Sequence, residues 1–480
     1  MLFIDQAVLY IDQFEWSFPV LGWLGLFLSF GASIHVIMRK RDSRSAIGWM
    51  GLIWLSPILG VLVYSVFGVN RIRTRAQAMR PRGDNLPMRE TLGENVGIDS
   101  AGLLRLGDAI TRTPAVGGCS VRPLMNGEQA YPAMLAAIES ARYSVSLATY
   151  IFDYDEVGLR FAAALEAAVQ RGVQVRVLID DIGSRYSPKR MHRVLRRRGI
   201  PVAQFLPVFS FRSFFFINLR LHRKILVVDG MKAFTGGMNI RAVHEVSRGL
   251  PGSVQDTHFE VVGPVVRDIQ QVFVNDWEFT TRERLSGGSW FPPQSEQGAV
   301  LARCVDDGPD LHFENARWIL LGAIHSARHA IRIMTPYFLP DARLITALNV
   351  AALRGVKVQV VLPEQNNLPW VGWASTGNLW QVLERGCEIY QSPPPFDHSK
   401  LMSIDERWTF FGSLNWDERS LRLNFEINVE AYDTDLAKRT NAHIDAKIAG
   451  SRRYTLEDLN ARSAGAKLRD GFVRLFDSYL

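Results

Sequence analysis

Leu221-His222-Arg223-Lys224-Ile225-Leu226-Val227-Val228-Asp229 returns later in the chain as Asp397-His398-Ser399-Lys400-Leu401-Met402-Ser403-Ile404-Asp405. Each copy reads His, any residue, Lys, four residues, then Asp. Each leads into a glycine turn and an Asn, Gly236-Gly237-Met238-Asn239 and Gly412-Ser413-Leu414-Asn415. The residues after His222 are apolar and β-branched and predict a buried strand. His222 and Lys224, two apart, then share one side of that strand, as do His398 and Lys400. An ammonium is a point charge suited to a phosphate oxygen, and the Asn amide is a donor for the same group. An imidazole attacks phosphorus when neutral and protonates a leaving oxygen when charged. One such copy would be a weak match, since a lone His on an apolar strand is most often a core residue. Two copies, each with the trailing Gly and Asn, point to two half-sites for phosphoryl-type transfer that need no metal and no cofactor. Asp229 and Asp405 complete the motifs but sit beyond the cleft end of their strands. They are expected to anchor nearby backbone or side-chain donors.

The repetition extends outward. Ala141-Arg142-Tyr143-Ser144-Val145 through Thr149 parallels Ala327-Arg328-His329-Ala330-Ile331 through Thr335. Arg171-Gly172-Val173-Gln174-Val175 parallels Arg354-Gly355-Val356-Lys357-Val358. An offset of about 180 residues is too long for a solenoid unit and implies a duplicated domain. Each half alternates strand, helix, strand, the signature of a layered α/β domain.

These motifs resemble the signature of the phospholipase D superfamily. The resemblance implies two α/β/α sandwich domains packed as a pseudo-dimer, with both His residues facing one cleft. The expected boundaries are 119–295 for the first domain and 296–480 for the second. Residues 69–118, rich in Arg, Gly and Pro, read as a basic linker. Residues 1–68 hold two uncharged apolar runs, 18–38 and 46–67, each long enough to span a bilayer as a helix. Asp5, Asp12 and Glu15 precede the first run, so it lacks the basic start of a signal peptide. The second contains Ser56-Pro57 and Gly60 and is expected to be kinked or re-entrant.

Two membrane segments before a duplicated His-Lys-Asp domain resemble the bacterial cardiolipin synthases. Ser56-Pro57-Ile58-Leu59-Gly60, Asn218-Leu219-Arg220-Leu221-His222 and Thr335-Pro336-Tyr337-Phe338-Leu339-Pro340 carry the same resemblance. It implies a phosphatidyltransferase that joins two phosphatidylglycerols and releases glycerol through a phosphatidyl-histidine. It also implies a multi-pass protein of the bacterial inner membrane. In that scheme His222 is the nucleophile and His398 the acid and base, an order the near-equivalent copies leave open. Lys224, Lys400, Asn239 and Asn415 would hold the phosphate. Ser413 would add a hydroxyl where the first copy has Gly237. Asp256 and Glu426 follow their motifs at the family's spacing and are expected to orient the histidines, Asp256 on His222 and Glu426 on His398.

The net charge of +7 and pI of about 9.3 suit an anionic lipid surface and would equally suit nucleic acid. The membrane runs favour phosphatidylglycerol and anionic lipids as partners, with no nucleic acid. The cluster from Lys189 to Arg198 is either a solvated helix face or a headgroup patch. The aromatics from Phe205 to Ile217 are expected to dip into the bilayer beside the cleft. Cys119, Cys304 and Cys387 show no metal spacing and read as reduced thiols. Basic residues flank the second apolar run on both sides, at 39–44 and 71–75. Both flanks favour the cytoplasm, which a full crossing forbids. A cytoplasmic catalytic body is the weaker expectation that follows. The motifs leave open a phospholipase D-type hydrolase, or a transferase with another donor or acceptor, because all share the first step. The oligomeric state is not encoded in any motif.

Overall fold

The computed structural model describes residues 22–40, 43–68, 98–208 and 218–476. These fall into two compact units, residues 1–75 and 76–480.

In the first unit, Gly22–Arg39 is the one described helix long and apolar enough to cross a membrane. The second apolar run is not one helix. Ser43–Leu55 is followed by Pro57–Val63 and a π-helical turn Tyr64–Gly68, with Ser56 at φ −145° between them. Pro57 cannot continue the hydrogen-bond ladder of the preceding turn. The break is sharp. A Cβ on Gly60 would lie 2.3 Å from the Leu52 carbonyl oxygen, whereas eight residues of straight helix span about 12 Å. The Tyr64 ring accordingly meets Trp49 edge-on at 5.3 Å, and its hydroxyl lies 2.8 Å from His35 Nδ1 on the first helix. Trp54 Nε1 donates to Ser33 Oγ at 3.0 Å.

The second unit is built on one long mixed sheet with a pseudo-twofold at its middle. The strand Val116–Met125 pairs antiparallel with Val300–Asp307, and the two halves run outward from that seam in the same order. In the first half come Thr257–Val262, Lys232–Gly236, Ile225–Val228, Ser144–Thr149, Gln174–Asp180 and Val202–Phe205. In the second come Asn424–Tyr432, Trp408–Gly412, Leu401–Ile404, Ala330–Met334, Lys357–Pro363 and Glu388–Ser392. Each half buries its sheet under helices on both faces. Asn126–Ser140 and Glu156–Gln170 pack against one face and Val266–Thr281 against the other. Asn315–Ser326, Ala342–Leu353 and Thr434–Ala449 repeat this layout. Two separate apolar cores result, one per half.

The duplicated sequence performs duplicated work. Asp155 caps Glu156–Gln170 and Asp341 caps Ala342–Leu353, each side chain accepting from the first turn. Arg171 donates to the Ile138 carbonyl at the end of the preceding helix, and Arg354 donates likewise to His325 and Ala327.

Two stretches differ from the sequence reading. Within the expected linker, Ile98–Thr111 is a helix packed on Asn315–Ser326, with Leu103 in the core of the second half. Arg303 fastens it, bonding the Leu104 carbonyl at 3.0 Å and pairing with Asp108 and Glu430. The basic cluster forms the helix Met191–Arg197, which buries Met191, His192 and Leu195 and leaves Arg193, Arg196 and Arg197 in solvent. Most of the aromatic stretch, residues 209–217, lies outside the described residues.

Candidate active site

The strand containing the first motif begins at Ile225, not at Leu221. His222 and Lys224 stand just before it, because the chain there leaves its own half. Arg220–Leu221 pairs parallel with Asn424–Phe425 of the second half, and His222 N donates to the Phe425 carbonyl at 3.0 Å. The second motif mirrors this. Phe396–Asp397 pairs with Val254–Gln255, and His398 N donates to the Gln255 carbonyl at 2.8 Å.

This exchange corrects the expected pairing of histidines and carboxylates. Each His is registered against the residue preceding the other half's acid. His222 Nδ1 lies 2.9 and 3.0 Å from the Glu426 carboxylate oxygens, and His398 Nδ1 lies 2.9 Å from Asp256 Oδ2. Both carboxylates are fully buried. Each fixes one ring nitrogen and leaves Nε2 for chemistry. Charge coupling also crosses between the halves, His222 lowering His398 and Lys400 lowering His222.

Lys224 Nζ donates to the His222 carbonyl and Lys400 Nζ to the His398 carbonyl, both at 2.6 Å. Asn239 Oδ1 accepts from Ile151 N at 3.0 Å, while Asn415 Oδ1 is buried without a hydrogen-bond partner. Ser413 departs from its expected role. Its hydroxyl donates to Glu426 Oε2 at 2.5 Å and accepts from Ile427 N at 3.0 Å, so it serves the carboxylate instead of a phosphate. The absence of its counterpart has a steric cause. A Cβ on Gly237 would lie 2.6 and 2.7 Å from the two Asp256 oxygens.

Asp229 and Asp405 each anchor backbone amides. Asp229 accepts from Arg142, Tyr143 and Ser144 backbone amides at 2.7 to 3.0 Å. Asp405 accepts from Arg328, His329 and Ala330, all at 2.8 Å. Each pins the start of the strand beside its motif. Two cleft residues escaped the sequence reading. Tyr150 meets His222 edge-on at 5.4 Å, with Lys224 5.7 Å from its ring centre, and Tyr337 meets His398 at 6.2 Å. Aligning Thr149-Tyr150-Ile151-Phe152 with Thr335-Pro336-Tyr337-Phe338, with one residue inserted, would have exposed them.

The electrostatics are not symmetric. Burial pushes His222 down to about 4, aided by Lys224 and opposed by Glu426. Burial, Lys400 and Lys224 hold His398 well below the usual imidazole value. Burial takes Lys224 down to about 7 and Lys400 to about 8. The two acids diverge. Burial raises Asp256 well above the carboxylate range. Glu426 is equally buried, but His222, Lys224 and the Ser413 hydroxyl outweigh burial and hold it below its ordinary value. Side-chain donors differ between the two acids, and the neighbouring Asp397 carboxylate raises Asp256 further. Glu426 accepts from His222, Ser413 and Asn424, whereas Asp256 has His398 on Oδ2 and no partner on Oδ1.

Comparisons with known proteins agree with this architecture. The family model described as the cardiolipin synthase, phospholipase D-like domain matches twice, at residues 134–247 and 320–448, and a phospholipase D-nuclease N-terminal model matches 27–68. A cardiolipin synthase of Geobacillus sp. (strain WCH70) is 30% identical over 99% of this chain and 97% of its own length. Cardiolipin synthase A of Pseudomonas syringae pv. syringae (strain B728a) is 32% identical over 94% of this chain and 95% of its own. Among solved structures, the phosphatidylserine synthase of Haemophilus influenzae Rd KW20 superposes with a TM-score of 0.61. It covers 79% of this chain and 100% of its own at 14% identity, a likeness of fold alone. With two matched domains, full-length relatives and one site assembled from both halves, the chain belongs to the cardiolipin synthases of the phospholipase D superfamily, a family of phosphatidyltransferases.

Proposed function

We propose that this chain transfers a phosphatidyl group from one phosphatidylglycerol to another, giving cardiolipin and glycerol. The observation that carries the reading is the crosswise support of the two histidines, each with Nδ1 on a buried carboxylate of the other half. Neutral His222, backed by ionised Glu426, attacks phosphorus through Nε2. The His398–Asp256 pair holds a proton and gives it to the departing glycerol oxygen as the phosphorus–oxygen bond breaks. The pair then takes the proton from a hydroxyl of the second phosphatidylglycerol, whose oxygen displaces His222. Splitting one exchange into two steps through a phosphatidyl-histidine lowers each barrier. Lys224, Lys400, Asn239 and Asn415 stabilise the charge gathering on the phosphate oxygens. The raised Asp256 and depressed Glu426 support this order of roles. Purified protein given labelled phosphatidylglycerol is expected to yield cardiolipin and free glycerol. Phosphatidic acid as the sole lipid product would instead make the chain a hydrolase.

The membrane arrangement follows from the first unit. In our reading Gly22–Arg39 crosses the bilayer of a bacterial cell and 43–68 re-enters without crossing. Ser43–Leu55 extends about 20 Å, short of a hydrocarbon core of about 30 Å. The contact of Tyr64 with His35, one turn from the end of the first helix, supports a return to the side of the 40–42 loop. Both basic flanks then share the cytoplasmic face, and the charge conflict in the sequence disappears. Single cysteines at Ser43 and Thr74 are expected to react with an impermeant maleimide from one face and a cysteine at Asp5 from the other. The native thiols are buried and will not compete. Labelling of positions 43 and 74 from opposite faces would overturn the re-entrant reading.

A further inference from the structure

The helix Ala464–Arg474 is amphipathic in the reverse sense for a helix on a soluble body. The face it turns to the protein carries Asp470, buried and ion-paired with Arg462 and with Arg469 at 2.8 Å. Opposite that acid, Leu468, Phe472 and Leu475 are 76%, 62% and 75% exposed, and Phe476 is exposed beside them. Their spacing of four, three and one residues forms one stripe at the helical period. A helix docked only to serve the core would bury that stripe and leave the acid in water. Arg469 borders the stripe and lies over the Trp373 ring at 4.2 Å, while Lys467 and Arg474, three and four residues from Asp470, lie on the acid's side of the helix.

The stripe is close to the chemistry. Ala464–Arg474 packs on the helix Pro369–Asn378, and Val473 packs on the small apolar cluster of Leu339, Val371 and Ala374, which Tyr337 also touches. Tyr337 in turn meets the His398 ring, and its hydroxyl bonds Asn367 Oδ1 at 2.9 Å in the loop before that helix.

We infer that Ala464–Arg474 is an interfacial docking helix that seats the His398 side of the cleft on an anionic lipid bilayer. Leu468, Phe472 and Leu475 enter the acyl boundary, and Arg469 at the edge of the stripe meets a lipid phosphate. An outward apolar stripe with a guanidinium at its edge matches both layers of such a surface. The helix adjoins the cleft that takes the lipid substrate, through Val473, Tyr337 and His398, which favours the bilayer over a partner protein as the occupant of the stripe. The inference deepens the lipid-substrate reading and rests on it. The docked helix brings lipid headgroups to the histidines without requiring a whole lipid to leave the membrane.

The test uses the full chain, whose three native thiols are buried, in nanodiscs. Phe472→Cys carries an environment-sensitive fluorophore, and the lipids are brominated phosphatidylcholine with or without phosphatidylglycerol. Bromine quenching is expected to be several-fold stronger when phosphatidylglycerol is present. Absence of quenching in either composition would overturn the inference. So would a change in particle size of detergent-solubilised Phe472→Asp relative to the parent, which would mark the stripe as a contact between copies. Turnover is read separately. Leu468→Gln with Phe472→Gln is expected to slow transfer from bilayer phosphatidylglycerol by about tenfold or more, a floor well below the loss that two fully buried apolar side chains allow. The same variant is expected to retain activity on short-chain monomeric phosphatidylglycerol. Equal losses on both substrates would overturn docking, while failure of all forms to make cardiolipin would reject the reaction and leave the quenching result intact.

Discussion

His222→Ala and His398→Ala are each expected to abolish cardiolipin formation, with losses of about 10⁴-fold or more of the kind seen when a nucleophile or its proton partner is removed. Their separation lies in the donor. With phosphatidylglycerol both fail, because glycerol departs only if it is protonated. With phosphatidyl-p-nitrophenol the leaving group departs without a proton, so His398→Ala should release a burst of nitrophenolate as its intact His222 is phosphatidylated. His222→Ala should show no burst. Reversal of that pattern would exchange the two roles, and turnover surviving in both variants would remove the site. The asymmetry that motivates the assignment is local. Glu426 has three side-chain donors and is held below its ordinary value beside His222, whereas Asp256 has one and is raised by burial beside His398.

Much of this site is written in the chain, and the part that is not has a clear physical origin. The His-x-Lys repeats, the Arg-Gly-Val strand entries and the two α/β cores depend on local pattern. They recur at matching positions in both halves. The backbone anchoring by Asp229 and Asp405 was legible for the same reason, since each bonds the strand beside its own motif. Crosswise pairing of the acids was not legible, because it arises only when the halves close about their seam. Arg220–Leu221 and Phe396–Asp397 each add to a strand of the opposite half, and nothing within one repeat encodes that choice. Ser413 misled for a related reason. A hydroxyl beside a glycine turn suits a phosphate, but the carboxylate brought by the Asn424–Tyr432 strand claims it first. The helix Ile98–Thr111 was lost by averaging Arg, Gly and Pro over a long window. Leu103, Leu106 and Ile110 within it recur at helical spacing and face the second core.

Glu426→Gln and Asp256→Asn are expected to lower phosphatidyl transfer by about 10²- to 10⁴-fold, the range for a group that fixes a catalytic imidazole's tautomer and orientation. The crosswise geometry dictates which step each variant loses. Glu426 supports His222, so Glu426→Gln should suppress the nitrophenolate burst although it lies in the half that carries His398. Asp256→Asn should spare the burst and block only the steps that need a proton. Pairing within each half would give the opposite result. The pH dependence of kcat at saturating donor, where bound phosphate keeps both lysines charged, supplies an independent sign. Transfer requires neutral His222, so the rate falls as pH drops through its value, which burial depresses. Glu426 opposes that depression, so removing its charge should move the acid limb lower still. Transfer also requires a proton on the His398–Asp256 pair, and the rate falls as that proton is lost with rising pH. Burial raises Asp256, which extends the protonated range upward. Asn in its place leaves the proton to His398 alone, which burial and the two lysines hold well below the usual imidazole value. The alkaline limb of Asp256→Asn should therefore shift toward acid. An unchanged alkaline limb would mean that Asp256 holds His398 in place but takes no share of its proton.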